Sequence, residues 1–186
     1  VTDQMVIYGD LSSWHPSTVS SDGEETFLIM WYQGSPLMAQ FVSSSGQLLD
    51  GPRVMGSVAS DSLFGSGTKL SGIVNNHFYV TFTKYQLNDA DIKLQKYDLS
   101  FAPVGELRNV HDDVGSSWQT EPICYVNDNG YAIVLWKDFR NGRQDLYAQV
   151  YDDHSAPVGD NIIINDVITQ NWYLGDKAVK SVSDGT

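Results

Sequence analysis

Three stretches of this sequence decide its architecture when set one beneath another: PLMAQFVSSSGQLLDGPRV at 36–54, DIKLQKYDLSFAPVGELRNV at 91–110 and DLYAQVYDDHSAPVGDNIII at 145–164. Gln40, Gln95 and Gln149 fall 55 and 54 residues apart, Gly51, Gly105 and Gly159 fall 54 and 54 apart, and Pro103-Val104-Gly105 returns as Pro157-Val158-Gly159. A register kept through three copies marks an internal repeat, each copy one unit stacked on the next.

Working outward from the third stretch, each copy parses into four short strands. EPICYVN (121–127) leads through Asp128-Asn129-Gly130 to YAIVLW (131–136); the charged hairpin KDFRNGRQ (137–144) leads to DLYAQVY (145–151), and a turn gives IIIN (162–165). Val, Ile, Leu and Tyr fill the strands and Asn-Gly or Asp-Gly punctuates them. FLIMW (27–31) and FYVTF (78–82) occupy the second-strand place in the other copies. No window sustains a helical period. Along 145–151, Tyr147, Gln149 and Tyr151 share one face, so a glutamine between packed sheets is expected to bond neighbouring backbone.

Four antiparallel strands repeating at about 54 residues are the pattern of a β-propeller blade. The expected fold is all-β: 1–10 the last strand of a preceding blade, 11–57 blade one, 58–112 blade two, 113–167 blade three, and 168–186 the first strand of a following blade. MVIY (5–8) and DKAVKSV (176–182) are the flanking strands, giving about three and a half blades. The expectation is a fragment of a larger ring, with a ring closed by two copies as the other arrangement. The start, VTDQMVIYGD, has neither an initiator Met nor a signal-peptide pattern, and the end, KSVSDGT, follows a turn signal, in keeping with an excised piece. Tryptophan falls at two repeat positions: Trp31 and Trp136 end second strands, with Phe82 between them, while Trp14, Trp118 and Trp172 lie in crossovers, with Phe64 in the remaining one. Packing between blades accounts for that placement; stacking on carbohydrate is the other role such rings serve.

The run Trp136-Lys-Asp138-Phe-Arg140-Asn-Gly142-Arg-Gln-Asp145-Leu-Tyr147-Ala-Gln149 resembles a repeat of secreted and surface bacterial proteins, W-x-D-x-R-x-G-x-x-D-[IL]-Y-x-Q. The likeness is close in the third copy and loose elsewhere: the second keeps Asp91, Gln95 and Gly105 but has Lys84-Tyr85-Gln86 at the D-x-R stretch, and the first keeps Gln40 and Gly51. The resemblance implies a propeller in an extracellular or cell-surface protein, acting as a non-catalytic binding or structural module toward a protein or glycan ligand. A carbohydrate-active propeller, glycoside hydrolase or polysaccharide lyase, is the alternative.

Composition sets the remaining bounds. With 186 residues, 41% hydrophobic and 12% aromatic, the chain has ample core, and its net charge of −12 repels nucleic acid. No apolar run is long enough to span a membrane as a helix. Cys124, alone, forms no intrachain disulfide and lies mid-strand. No cofactor motif occurs; the one metal candidate is calcium at Asp138, Asn141 and Asp145, against a reading in which these carboxylates pair with Arg140 and Arg143. Asn88-Asp89-Ala90-Asp91 poses the same question less sharply. His15, His77, His111 and His154 fall in turns and crossovers and are expected to be solvated, as are Glu24-Glu25, Asp112-Asp113 and Asp152-Asp153. No G-x-S-x-G elbow occurs, SSDGEETF (20–27) is not a sialidase-type box, and no catalytic set emerges.

Overall fold

The computed structural model describes residues 17–32, 37–55 and 68–165. These form three four-stranded antiparallel sheets, and no helix occurs among the described residues. Sheet one is β1 (Ser17–Ser21), β2 (Thr26–Tyr32), β3 (Leu37–Ser43) and β4 (Leu48–Val54). Sheet two is β5 (Lys69–Leu70), β6 (His77–Gln86), β7 (Asp89–Asp98) and β8 (Pro103–Asn109). Sheet three is β9 (Gln119–Val126), β10 (Ala132–Asp138), β11 (Asp145–Tyr151) and β12 (Pro157–Ile163). Within each sheet the strands lie in chain order. The expected flanking strands, with Trp14, Phe64 and Trp172, lie outside the described residues.

The sheets pack face to face in succession. Leu28, Met30, Leu37, Ala39 and Met55 of the first unit meet Leu70, Phe78, Val80, Phe82, Tyr97 and Phe101 of the second. The other face of the second gives Tyr79, Ile92, Leu94 and Val110 to Cys124, Val126, Ala132, Val134, Trp136, Tyr147 and Tyr151 of the third. Strand alternation lets sheet two serve both layers: Phe78 and Val80 point to one neighbour and Tyr79 to the other. Burial pushes the Cys124 thiol up to about 12, so it behaves as an apolar core residue.

One device recurs in all three sheets. The pairing of third and fourth strands runs Phe41↔Leu49 then Ala39↔Arg53, Lys96↔Val104 then Leu94↔Arg108, and Val150↔Val158 then Ala148↔Ile162. Each fourth strand therefore sets residues 50–52, 105–107 or 159–161 against the single glutamine 40, 95 or 149. Such a bulge breaks the ladder and strands backbone carbonyls. The glutamine amide takes their place: Gln40 Nε2 donates to Phe41 O (2.9 Å) and Leu49 O (2.6 Å), Gln95 Nε2 to Lys96 O (3.0 Å) and Val104 O (3.2 Å), and Gln149 Nε2 to Val150 O (2.9 Å) and Val158 O (3.3 Å). The first bulge residue is left-handed, at φ 73° in Gly105 and 69° in Gly159. In sheet one that place belongs to Asp50 (φ 59°), so the sequence alignment on Gly51 is off by one.

The fourth strand of sheet three begins at Pro157, ahead of the IIIN expected. Its residues are mostly exposed, and a solvent-facing edge strand interrupted by a bulge has no alternation to mark it. Replacing Gln149 by Ala is expected to lower unfolding free energy by about 1–3 kcal/mol, the cost of buried carbonyls left unpaired. Urea denaturation beside exposed Gln47→Ala, expected within about 0.5 kcal/mol of the parent, is the check.

Candidate binding face

The two ends of the sheets are built differently. At the end holding the β1–β2, β7–β8, β9–β10 and β11–β12 turns, one side chain closes each turn on itself. Asp22 accepts from Glu24 N and Thr26 N, Asp98 from Ser100 N and Ala102 N, Asn127 from Asn129 N and Tyr131 N, and Asp152 from His154 N and Ala156 N. Hydrogen bonds to the carboxylate hold Asp98 below the usual range, with Ser100 the chief donor. Asp152, Asp153 and His154 come together on the last of these turns, where Asp152 is committed to backbone amides and His154 pairs with Asp153 at 2.7 Å.

The opposite end carries the β6–β7 and β10–β11 hairpins and the crossover 110–118. Its polar groups combine bonds within the hairpins with others that reach across the sequence. Asp138, fully buried, accepts from Trp136 Nε1 (2.8 Å), Arg140 N (2.9 Å) and an Arg140 Nη (2.8 Å). Arg140 also binds Asp112 and Asn161 and lies 4.4 Å over the Tyr147 ring. Although burial opposes charge on Arg140, its bonds to Asp138 and Asp112 raise its pKa above the ordinary value. Asp145, also fully buried, accepts from Asn141 (3.0 Å), Arg143 (3.0 Å) and Asn165 (3.1 Å). Burial alone would raise its carboxyl, but the bonds from Asn141, Asn165 and Arg143 outweigh that and lower it.

Asp138, Asn141 and Asp145, the sequence candidates for calcium, are thus brought together by the hairpin, with guanidinium groups against both carboxylates and the Asn141 amide nitrogen on Asp145 and the Tyr147 hydroxyl. A calcium ion needs six to eight oxygens, so it would have to displace both arginines. This donor set does not fit the ion.

Sheet two repeats the scheme with other residues. Asp91, at the place of Asp145, accepts from Lys93 (3.0 Å) and lies 3.1 Å from His111 Nε2. His111 stands 16 residues after Gln95, as Asn165 stands 16 after Gln149, and does the same work. It is buried, contrary to the expectation of a solvated turn histidine. His77 bonds Asn75 O, His154 is solvated as expected, and His15 lies outside the described residues.

This end also holds unpartnered polar atoms. Thr83 Oγ1, His111 Nδ1, Gln119 Oε1 and Arg140 Nε are buried without a hydrogen-bond partner. The crossover places Trp118 half exposed, at 50%, whereas Trp31 and Trp136 are buried. Packing between sheets two and three therefore accounts for Trp136, while much of Trp118 is left outside. A cleft of about 210 Å³ between Arg108–Asp112 and the β12 bulge includes His111 and Asn161 in its wall.

No family model matches the chain, and no curated protein matches it. Among solved structures, the endo-arabinase of Bacteroides thetaiotaomicron is similar at a TM-score of 0.32 and 10% identity, over 77% of this chain and 78% of that one. No helix among the described residues is long and apolar enough to cross a membrane.

Two outcomes follow from the carboxylates. The folded-state pKa of Asp145 lies below its unfolded one, so its contribution to stability is complete near neutrality and is lost as pH falls from about 4 through the folded value. Asp145→Asn should flatten the stability–pH profile in that window; an unchanged slope below pH 4 would contradict the ion-pair account. Millimolar calcium, or a chelator, should leave the thermal midpoint where it was, and a calcium-dependent rise lost in Asp145→Asn would show the arginines giving way to a cation.

Proposed function

We propose that this chain is a section of a β-propeller, with each sheet a blade, that acts as a non-catalytic binding or structural module of a secreted or cell-surface protein. The observation that carries the reading is the fate of the buried carboxylates: Asp91, Asp138 and Asp145 are each bound by cations and amides of the fold itself. A general acid or nucleophile needs a carboxyl that faces substrate, and these face arginine, lysine, histidine and asparagine. The repeated glutamine bulge and the successive face-to-face packing support the blade assignment, and the resemblance of residues 136–149 supports the secreted or surface setting. The ligand is a glycan or a protein, and the rest of a longer chain, or a second copy, completes the ring. The net charge of −12 argues against nucleic acid.

A carbohydrate-active propeller is the second reading, favoured by the gathering of His111, Gln119 and Arg140, with unpartnered buried atoms, at one end of two sheets. Reducing-end release from a panel of plant and microbial polysaccharides separates the two. No release above a heat-denatured control is expected; sustained turnover would establish the second reading in place of the first.

A further inference from the structure

The hairpin end of sheets two and three presents one aromatic ring in a way that core packing does not require. Trp118 is pinned through its backbone on two sides: it bridges Ala90 in parallel fashion, and its carbonyl accepts from Phe139 N at 3.0 Å. Its indole meets Tyr85 edge-on, with centroids 6.1 Å apart and planes at 68°. Half of the side chain remains in water. A tryptophan fixed by backbone and by a perpendicular ring has little left to lose in order on binding, which suits a stacking platform.

Its surroundings mix apolar and polar groups, for Leu87, Val114 and Phe139 are also exposed at this end. The β6–β7 hairpin that supplies Tyr85 also carries exposed Gln86 and Asn88. Gln119, the next residue along, donates to Asp113 (3.3 Å) and keeps a buried Oε1 without a partner. The cations at this end are already engaged: Lys93 with Asp91, Lys137 with Glu121, Arg140 with Asp138 and Asp112, and Arg143 with Asp145. Carboxylates Asp89, Asp112 and Asp113 lie nearby in a chain of net charge −12. An anionic ligand would be repelled, and the amides and carboxylates beside the ring supply hydrogen-bond partners for an uncharged polar one.

Resting on the binding-module reading above, we infer that Trp118, backed by Tyr85, is the stacking platform of a site for an uncharged saccharide, whose hydroxyls bond the amides and carboxylates around it. The pyranose or furanose face supplies C–H groups to the indole, and its rim supplies hydroxyl donors and acceptors. No covalent step is involved.

The test is affinity electrophoresis of the chain in gels containing uncharged β-glucan, xylan, arabinan, mannan or polygalacturonate as the anionic comparison. At least one uncharged polymer should retard it, Trp118→Ala should weaken that binding about tenfold or more, and Trp118→Phe should restore part of it. Tyr131→Ala removes an aromatic of similar exposure from the opposite end and should change nothing. Should Trp118→Ala not fold, the corresponding uncharged hexasaccharide should protect Trp118 in the parent chain from N-bromosuccinimide, read by peptide mass. Retardation by no uncharged polymer, by polygalacturonate alone, or equally in folded Trp118→Ala, would overturn the inference, as would failure of protection. Reducing ends are measured on the same samples: their release would overturn the non-catalytic reading, while absent retardation without release would remove only the Trp118 site.

Discussion

A side-chain amide standing in for a missing stretch of ladder is the interaction on which the three sheets depend. Where the fourth strand inserts residues 50–52, 105–107 or 159–161 opposite one glutamine, the backbone cannot pair with itself. Glutamine is long enough to reach both its own following carbonyl and the one across the gap, and its Nε2 carries two protons to donate. Asparagine is one methylene shorter, and glutamate has nothing to give. The bulge in turn bends the outer strand, which is the exposed edge of each sheet, and a bent edge makes a poor template for pairing with another chain. In sheet three the glutamine is satisfied on its other side as well, because Asn161 donates 2.7 Å to Gln149 Oε1 and also reaches Val110 O of the preceding unit. There a within-sheet repair becomes a link between sheets. Sheet one has Pro52 at the matching place, and Gln40 Oε1 is left buried without a partner.

The same accounting separates the ends of the molecule. Turns closed by Asp22, Asp98, Asn127 and Asp152 use one oxygen on two backbone amides within five residues, and the last of them is also tied to sheet two, through Lys96 Nζ on Asp153 O and Tyr79 on Ser155. The hairpin end satisfies its charges over distances such as Arg140 to Asp112 and Asn161, and leaves several atoms unmatched. Locally closed turns hold their shape whatever sits beside them. Long-range polar networks hold only when the sheets are docked, so this end helps to lock the packing.

What the sequence reveals follows from the kind of physics involved. The repeat, the first three strands of its third copy and the backbone-bonding glutamine are legible because each follows from spacing or from a rule about buried amides. The fourth strand is not, since its exposed residues include Pro157 and Gly159, which locally signal a turn. Asp50 escapes because a left-handed position is filled there by aspartate, with Gly51 beside it to attract the alignment. His111 escapes for a related reason: histidine and asparagine share no composition, but both place a nitrogen on the aspartate four residues before the repeated glutamine. Counting 16 residues on from each glutamine would have found the pair. The exposure of Trp118 depends on how the crossover runs, and no period encodes that.

The charge pattern of the third hairpin has an electrostatic cause of its own. β10 and β11 bring Asp138 and Asp145 directly opposite one another, both fully buried. Two like charges facing across strands destabilise the pair, and burial makes it worse. Their connection must therefore supply two cations, and it does so at Arg140 and Arg143, each bound to the aspartate two residues away. In sheet two the matching register partners are Lys84 and Asp91, already of opposite sign. That hairpin needs no arginine, and its pairing continues to Gln86↔Asp89 with only Leu87 and Asn88 at the tip. The wide arginine loop and the narrow neutral one are thus two solutions to one constraint, the sign of the residue facing a buried aspartate. The spacing of Asp, Arg, Gly, Arg and Asp in 138–145 is what that constraint looks like in sequence.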